Sequence, residues 1–382
     1  MRRKGLQSAD RHALRLLTIG ATPPPYFGMS VATECLLAAL SDAGIDCTHL
    51  DIADRRNFAN MNRIDLGNLR LAALGGVEFL QKMHSFRPNV VYLPVAQTTL
   101  GFLRDAVFLV PARLARKKVV VHLHGCQLDT FFQGAPTWMR WLMKWTLGQV
   151  RIAVVLGEGG ESQFRGLVPD GKVRVVPNGL PVTPCPSVRS PSPDVLTILY
   201  LSTLMREKGI LDLLEATAQL GDEACRLRLV FAGDWYSKED ERQFLVKLDV
   251  LGLRSRVELR GPVQGADKDR TLAEADVFVL APRHVEGLPF AILEAMRAGL
   301  PVITSDSGFI PQVIESGQCG LVVPRGDVPA LADAMGTLAR DSELRSKMGH
   351  AARQRFLAEY TLERWSTRML AVFQEVAEQG QV

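Results

Sequence analysis

With 382 residues, 47% of them hydrophobic and 23% charged, the chain has apolar mass for about two domains, each with its own core. A formal net charge of +4, with no long basic run and no basic–aromatic array, argues against a nucleic-acid partner. No stretch approaches the roughly eighteen uncharged apolar residues of a spanning helix, so any contact with a membrane is expected from its surface.

The basic start, Met1–Lys4, precedes an apolar run, Ala13–Ile19, that is short and interrupted by Arg15. That run reads as a first strand and not as the core of a secretory signal. Short apolar runs then alternate with amphipathic stretches, the pattern of βαβ units. In the first half they are Leu14–Ile19, Val90–Leu93, Lys118–Leu123, Ile152–Leu156 and Val173–Val176. In the second half they are Leu196–Leu201, Arg228–Ala232, Val257–Leu259, Val277–Ala281 and Pro301–Thr304. Helical periodicity lies between them, as in Ser30–Ala43, Ile210–Gln219 and Phe290–Ala298. Unbroken Val/Ile/Leu runs suit strands buried on both faces of a parallel sheet.

Five prolines fall within Pro181–Asp194, which cannot enter a sheet or helix interior and reads as a linker. The expected organisation is an N-terminal Rossmann-like domain over 1–182, a linker over 183–194 and a second Rossmann-like domain over 195–355. A C-terminal helix over 356–382, carrying Trp365 as a candidate anchor, could pack back on the first domain. Each half opens on a strand, a loop, a glycine (Gly28, Gly209) and a helix. Ligands of such sheets sit at the strand carboxyl ends, which here would face a shared cleft. The six cysteines are scattered, none at C-x-x-C spacing, so neither a zinc site nor a redox pair is indicated and reduced thiols of a cytoplasmic protein are expected.

Residues 282–301 carry the sharpest chemical signal. Glu286 and Glu294 stand eight positions apart, the first followed by a Gly-Leu-Pro turn and the second inside an apolar helix. Pro289 fits the first turn of that helix, where its missing N–H is harmless. The N–H groups around Leu288 and Phe290 would face an anion. Two acceptor-only carboxylates beside such a backbone suit a polyhydroxylated phosphate, for example a nucleotide sugar. An unpaired charge at Glu294, within Ala-Ile-Leu-Glu-Ala-Met, would be costly, so a partner is expected there. The helix Trp138–Trp145 carries Trp138, Trp141, Leu142 and Trp145 on one face, with Arg140 and Lys144 off it. It could lie on an anionic bilayer; a core-facing stripe is the commoner use and the expectation here.

Ordered together, several motifs make the chain resemble the glycosyltransferases of family four, retaining enzymes of GT-B fold. They are Gly28 before the first helix, Val121-His-Leu-His-Gly125, Val176-Pro-Asn-Gly179, Glu207-Lys-Gly209, the Gly261-Pro loop and the Glu-x7-Glu segment. The nearest flavour is the bacterial enzymes that assemble cell-surface or extracellular polysaccharide. The resemblance implies an α/β, two-domain GT-B fold and transfer from a nucleotide-diphosphate sugar to a glycan or lipid-linked acceptor, without a cofactor or metal, in the cytoplasm or at the inner face of the membrane. It places Glu286 at the hydroxyls of the transferred sugar, Glu294 at the ribose, Lys208 at the diphosphate and His124 beside the donor sugar. Gly28, Asn178, Gly261, Gly287, Leu288 and Pro289 complete the donor site. One departure stands out: the common Gly-Arg-Leu is Ser202-Thr-Leu here, so Thr203 replaces a phosphate-binding arginine. Arg206 either substitutes for it or points to solvent. An inactive nucleotide-sugar-binding scaffold and a GT-B-shaped epimerase or phosphorylase remain as alternatives.

Overall fold

A computed structural model describes residues 14–55, 66–183 and 195–378. The basic start Met1–Lys4 and most of the proline-rich linker, residues 184–194, lie outside the described residues. Among the described residues the chain forms two parallel six-stranded sheets. The first contains β1 (Arg15–Gly20), β2 (Asp46–Asp51), β3 (Val90–Pro94), β4 (Lys118–His122), β5 (Ile152–Val155) and β6 (Val173–Val175), in the order β2-β1-β3-β4-β5-β6. The second contains β7 (Leu196–Leu201), β8 (Leu227–Ala232), β9 (Val257–Gly261), β10 (Val277–Leu280), β11 (Val302–Ser305) and β12 (Gly320–Val323), in the order β12-β11-β10-β7-β8-β9. In each sheet the order reverses beside the first strand of the half, at β1 and at β7, and the crevice at such a reversal is where α/β sheets hold ligands.

Helices α1 (Gly28–Asp42), α2 (Leu66–Ser85), α3 (Thr99–Leu114), α4 (Leu128–Gly134) and α5 (Thr137–Leu147) belong to the first half. In the second are α6 (Ile210–Gln219), α7 (Lys238–Val250), α8 (Gly265–Ala273), α9 (Phe290–Ala298), α10 (Ile310–Val313), α11 (Val328–Arg340) and α12 (Ser342–Glu359), followed by α13 (Leu362–Glu378). One face of the first sheet is sealed by a core that includes Phe79, Phe102, Phe108, Met139 and Met143. The opposite face is sealed by Leu36, Leu40, Trp365, Met369 and Phe373. The last three come from α13, so the tail is two helices, of which the second crosses to the first domain and packs on α1, β3 and β4. The crossing is stitched by backbone hydrogen bonds from Leu180 N to the Tyr360 carbonyl (3.0 Å) and from Leu362 N to the Leu180 carbonyl (2.7 Å).

Candidate functional site

Glu286 sits in the loop between β10 and α9, and that loop is fixed from several sides. Ser305 donates to the Pro282 carbonyl (2.6 Å) and Ser307 to the His284 carbonyl (2.7 Å), while Ser307 Oγ accepts from Glu286 N (2.9 Å). A Cβ on Gly308, which has φ +53°, would lie 1.6 Å from the Glu286 carbonyl oxygen, so only glycine fits. On the other side a Cβ on Gly287 would lie 2.0 Å from the His124 carbonyl oxygen of the first domain. The strand carboxyl ends of the two sheets therefore meet at this loop.

The Glu286 carboxylate is largely buried between two cations. Lys208 Nζ lies 3.2 Å and His284 Nε2 3.1 Å from the same oxygen, Oε1. Burial alone would raise the carboxyl pKa; the nearby Lys208 charge and the His284 contact outweigh it and hold the group at about 2. His284 in turn is pushed above its ordinary value, chiefly by Glu286 and against its own burial. Its Nδ1 lies 2.9 Å from the Glu207 carbonyl. Both ring nitrogens thus face groups that only accept, which the doubly protonated imidazolium satisfies. Sequence reasoning passed over His284, which stands two residues before Glu286 in the same loop.

Lys208 occupies a short 3-10 turn, Arg206–Lys208, after β7. The helix begins at Ile210, where its periodicity starts: Gly209 is its left-handed cap residue (φ +84°), and a Cβ there would meet the Ala281 carbonyl at 2.2 Å. Lys208 Nζ also donates to Ser202 Oγ (3.2 Å). Arg206 does not lean toward the carboxylate. Its backbone N (3.2 Å) and Nε (3.1 Å) both donate to Oδ1 of Asp240, a buried residue in the first turn of α7. Thr203, at the departure from the family pattern, accepts at its carbonyl from Tyr200 Oη (3.3 Å).

Pro289 is the cap residue of α9 rather than its first helical residue, at φ −63° and ψ +130°. Leu288 points into the second domain's core, and its carbonyl accepts from Asn178 Nδ2 (2.9 Å) across the domain boundary. Asn178 is buried, and its Oδ1 has no hydrogen-bond partner among the described residues. A Cβ on Gly179 would lie 2.7 Å from the Thr361 carbonyl, so this glycine serves the approach of α13. Glu294 has the partner its burial demands: Lys268 Nζ of α8 donates to it at 2.6 Å. Gly28 opens α1, and the nearest atom to a Cβ there is a ring carbon of Phe290, 3.8 Å away at the start of α9. Gly261 ends β9 with φ +68°, and its carbonyl accepts from Gly233 N (2.8 Å).

His124 stacks on His122 with ring centroids 4.0 Å apart and planes inclined by 29°. Burial drives the His124 pKa down to about 4 and that of His122 well below its usual value, so both rings are neutral at pH 7. His122 is a packed strand residue held by Tyr92 Oη at 2.9 Å from its Nδ1. The space beside Gly125 is filled by the Gln97 side chain, 1.9 Å from where a Cβ would be. Among the described residues no group of three His, Cys, Asp or Glu side chains is arranged to hold a metal ion.

The tryptophan helix also differs from expectation. Its buried apolar residues are Met139, Met143 and Leu147, spaced four apart, while Trp138 and Trp141 lie on the opposite side and are exposed. Helix α5 is therefore apolar on two faces, and the methionine face took the core.

Residues 4–179 match the family described as "Glycosyl transferase 4-like domain" and residues 188–355 the family described as "Glycosyl transferases group 1". The chain is 30% identical over 179 residues to an alpha-D-kanosaminyltransferase of Streptomyces kanamyceticus, a stretch covering 47% of this chain and 45% of that enzyme. It is 26% identical over 285 residues to the GDP-mannose:cellobiosyl-diphosphopolyprenol alpha-mannosyltransferase of Xanthomonas campestris, covering 70% and 73%. The chain thus spans about half the length of the first of these relatives. Among solved structures, Anabaena HepE in complex with UDP and glucose superposes with a TM-score of 0.73 at 18% identity, over 95% of this chain and all of that one. The two parallel sheets with their facing strand ends are the GT-B fold, and the two adjoining matches cover nearly the whole sequence: the chain belongs to the family-four glycosyltransferases.

Proposed function

We propose that the protein transfers a sugar from a nucleotide-diphosphate sugar to a glycan or lipid-linked glycan, with retention of anomeric configuration, in the building of cell-surface or extracellular polysaccharide. The observation that carries this reading is the Lys208–Glu286–His284 cluster at the carboxyl ends of β7 and β10. It sets two cations and an ionised carboxylate where a diphosphate and its sugar would meet. As the bond from the anomeric carbon to the phosphate oxygen breaks, negative charge grows on the departing diphosphate. Lys208 and the start of α6 face that charge. Positive charge grows on the sugar, and Glu286, anionic at neutral pH, faces that. The acceptor hydroxyl attacks from the side the diphosphate leaves and passes its proton to it, so configuration is kept. Glu294 and Lys268 take the ribose hydroxyls. The charge balance is met by side chains, and the reaction runs without a metal. The protein works in the cytoplasm, in peripheral contact with the inner face of the membrane.

The test is a panel of nucleotide-diphosphate sugars incubated with the pure protein in EDTA, followed by release of the nucleoside diphosphate. Turnover of one donor, and a product keeping the donor's anomeric configuration by NMR, is the expected result. Tight binding without turnover would favour the scaffold reading, which the tethering of Arg206 to Asp240 and the uncharged Thr203 keep open. Neither binding nor turnover with any donor would overturn the proposal.

A further inference from the structure

The helical layer over one face of the first sheet has an outer surface unlike the rest of the molecule. Helix α3 packs between α2 and α5. On that layer Trp138 and Trp141 of α5 are 54% and 63% exposed, and Leu114 at the end of α3 is 70% exposed. Leu74, Val77 and Leu80 of α2 are exposed as well. These residues do not make up for a poor core. Each helix already buries another face, through Met139 and Met143 on α5, Phe102 and Phe108 on α3 and Phe79 on α2. A helix apolar on two sides has a second use for the outer one.

Charge says what that use is. The three helices contain two carboxylates, Glu78 and Asp105. Glu78 lies 3.4 Å from Lys82, and Asp105 is buried and pairs with Arg104 at 2.9 Å. Against them the helices carry Arg70, Arg113, Arg140 and Lys144 besides those two partners, and Arg116 and Lys117 follow α3 directly. Arg113 lies 4.4 Å over the Trp145 ring, and Trp145 stacks on Trp141 at 5.9 Å with planes 9° apart. Guanidinium and indole are thus ordered side by side at the surface. Aromatic rings that settle at the headgroup level, surrounded by cations and almost free of carboxylates, match an anionic lipid surface. A protein partner gives no comparable reason for excluding acids. Among the described residues no helix is long and apolar enough to cross a membrane, so the contact is lateral.

We propose that the outer face of the α2–α3–α5 layer docks the protein on an anionic lipid bilayer. This deepens the reading of a lipid-linked acceptor, because docking brings the first domain to the plane in which such an acceptor lies. Binding to lipid needs no sugar donor, so the two readings fail separately.

The experiment is co-sedimentation of the full chain with vesicles of phosphatidylcholine, with and without phosphatidylglycerol, beside nucleoside-diphosphate binding in solution. At about 0.1 M salt the protein should pellet with the anionic vesicles only. At about 1 M, where the screening length falls from roughly 10 Å to roughly 3 Å, most of it should be released. Trp138→Ser with Trp141→Ser should stay folded, because both rings are exposed, and should partition at least ~10-fold more weakly. Arg140→Glu with Lys144→Glu should do the same through charge, which keeps the test decisive if the tryptophan variant unfolds. Diphosphate binding should be unchanged in both. Failure of the wild type to pellet at low salt overturns the proposal, as does undiminished pelleting of the charge variant. A dimer that dissociates on removing the tryptophans, without lipid binding, would assign the face to a second copy instead.

Discussion

His284 and Glu286, two residues apart on one loop, meet at 3.1 Å while the far nitrogen of His284 is held by the Glu207 carbonyl. The pair makes the site sensitive to pH from both directions. His284 is raised above 6.5, so the contact is fully present below that value and is lost as pH rises through the raised one. Glu286 is lowered from 4.5 to about 2, so its charge is in place above 4.5 and is lost as pH falls toward 2. Lys208, the other charged group facing both, opposes protonation of His284 but not strongly enough to reverse its shift. Nucleoside-diphosphate binding should therefore weaken as pH rises through the raised His284 value. In His284→Gln that limb should vanish, with affinity at pH 6 already reduced. Superimposable pH profiles for the two proteins would remove His284 from the site.

Glu286→Gln keeps the shape of the side chain and deletes the charge between Lys208 and His284. Turnover should fall by about 100-fold or more while diphosphate affinity holds or improves, because the charge acts mainly on the developing oxocarbenium and no longer repels phosphate. Comparing single-turnover rates with diphosphate affinity by calorimetry separates the two effects. A parallel loss of both would make Glu286 a binding group only.

Lys208 and Arg206 should part company although they share one short turn. Lys208→Ala should weaken diphosphate binding by about 10- to 100-fold, the scale of one charge-assisted hydrogen bond. Arg206→Ala should leave that affinity within about twofold, since its guanidinium is tied to Asp240. Its cost should appear as a loss of about 1 kcal/mol or less in urea unfolding, the guanidinium being nearly half exposed. If Arg206→Ala weakens binding as Lys208→Ala does, Arg206 swings in to fill the role that Thr203 lacks.

What could be read from the sequence, and what could not, follows from burial. Strands flanked on both sides, such as β3 and β10, are unbroken apolar runs and stand where the runs stand. The two strands that the pattern passed over, β2 and β12, are edge strands. β2 reads Asp-Cys-Thr-His-Leu-Asp with one fully buried residue, and β12 is four residues opened by a glycine, so neither makes a run. Glu286, Glu294 and Lys208 were legible through spacing and family likeness. His284 and Lys268 were not, because their value lies in a partner many residues away or across a turn. Helix α5 misled for another reason. Tryptophan outweighs methionine in any count of apolar character, but two stripes of equal period cannot be ranked without knowing which faces the sheet.

At Gly287 the second domain lies against the first, beside the site. A Cβ there would lie 2.0 Å from the His124 carbonyl and 3.2 Å from Leu156 Cδ1, so Gly287→Ala must displace the Glu286 loop or part the sheets. Turnover should drop by at least ~10-fold, and thermal stability should fall as well, since Gly287 is buried and the adjoining Leu288 is seated in the second domain's core. An unaltered rate would mean that the observed closeness of Gly287 and His124 is not needed for reaction.

Phe373 of α13 is fully buried against the first sheet, edge-on to Tyr92 with ring centroids 5.7 Å apart, although the rest of the C-terminal half belongs to the second domain. Tyr92 is the residue that holds His122, and His122 carries the ring of His124. Phe373→Ala should cost about 3–5 kcal/mol in the stability of the first domain, the range for truncating a buried phenylalanine. Leu362 and Leu180 tie the start of α13 to the domain boundary, so the helix is also the second covalent strap between the halves. Denaturation of the variant should separate into two transitions, the first domain melting earlier and diphosphate binding surviving with the second. One cooperative transition at an unchanged midpoint would show that α13 does not hold the first domain together.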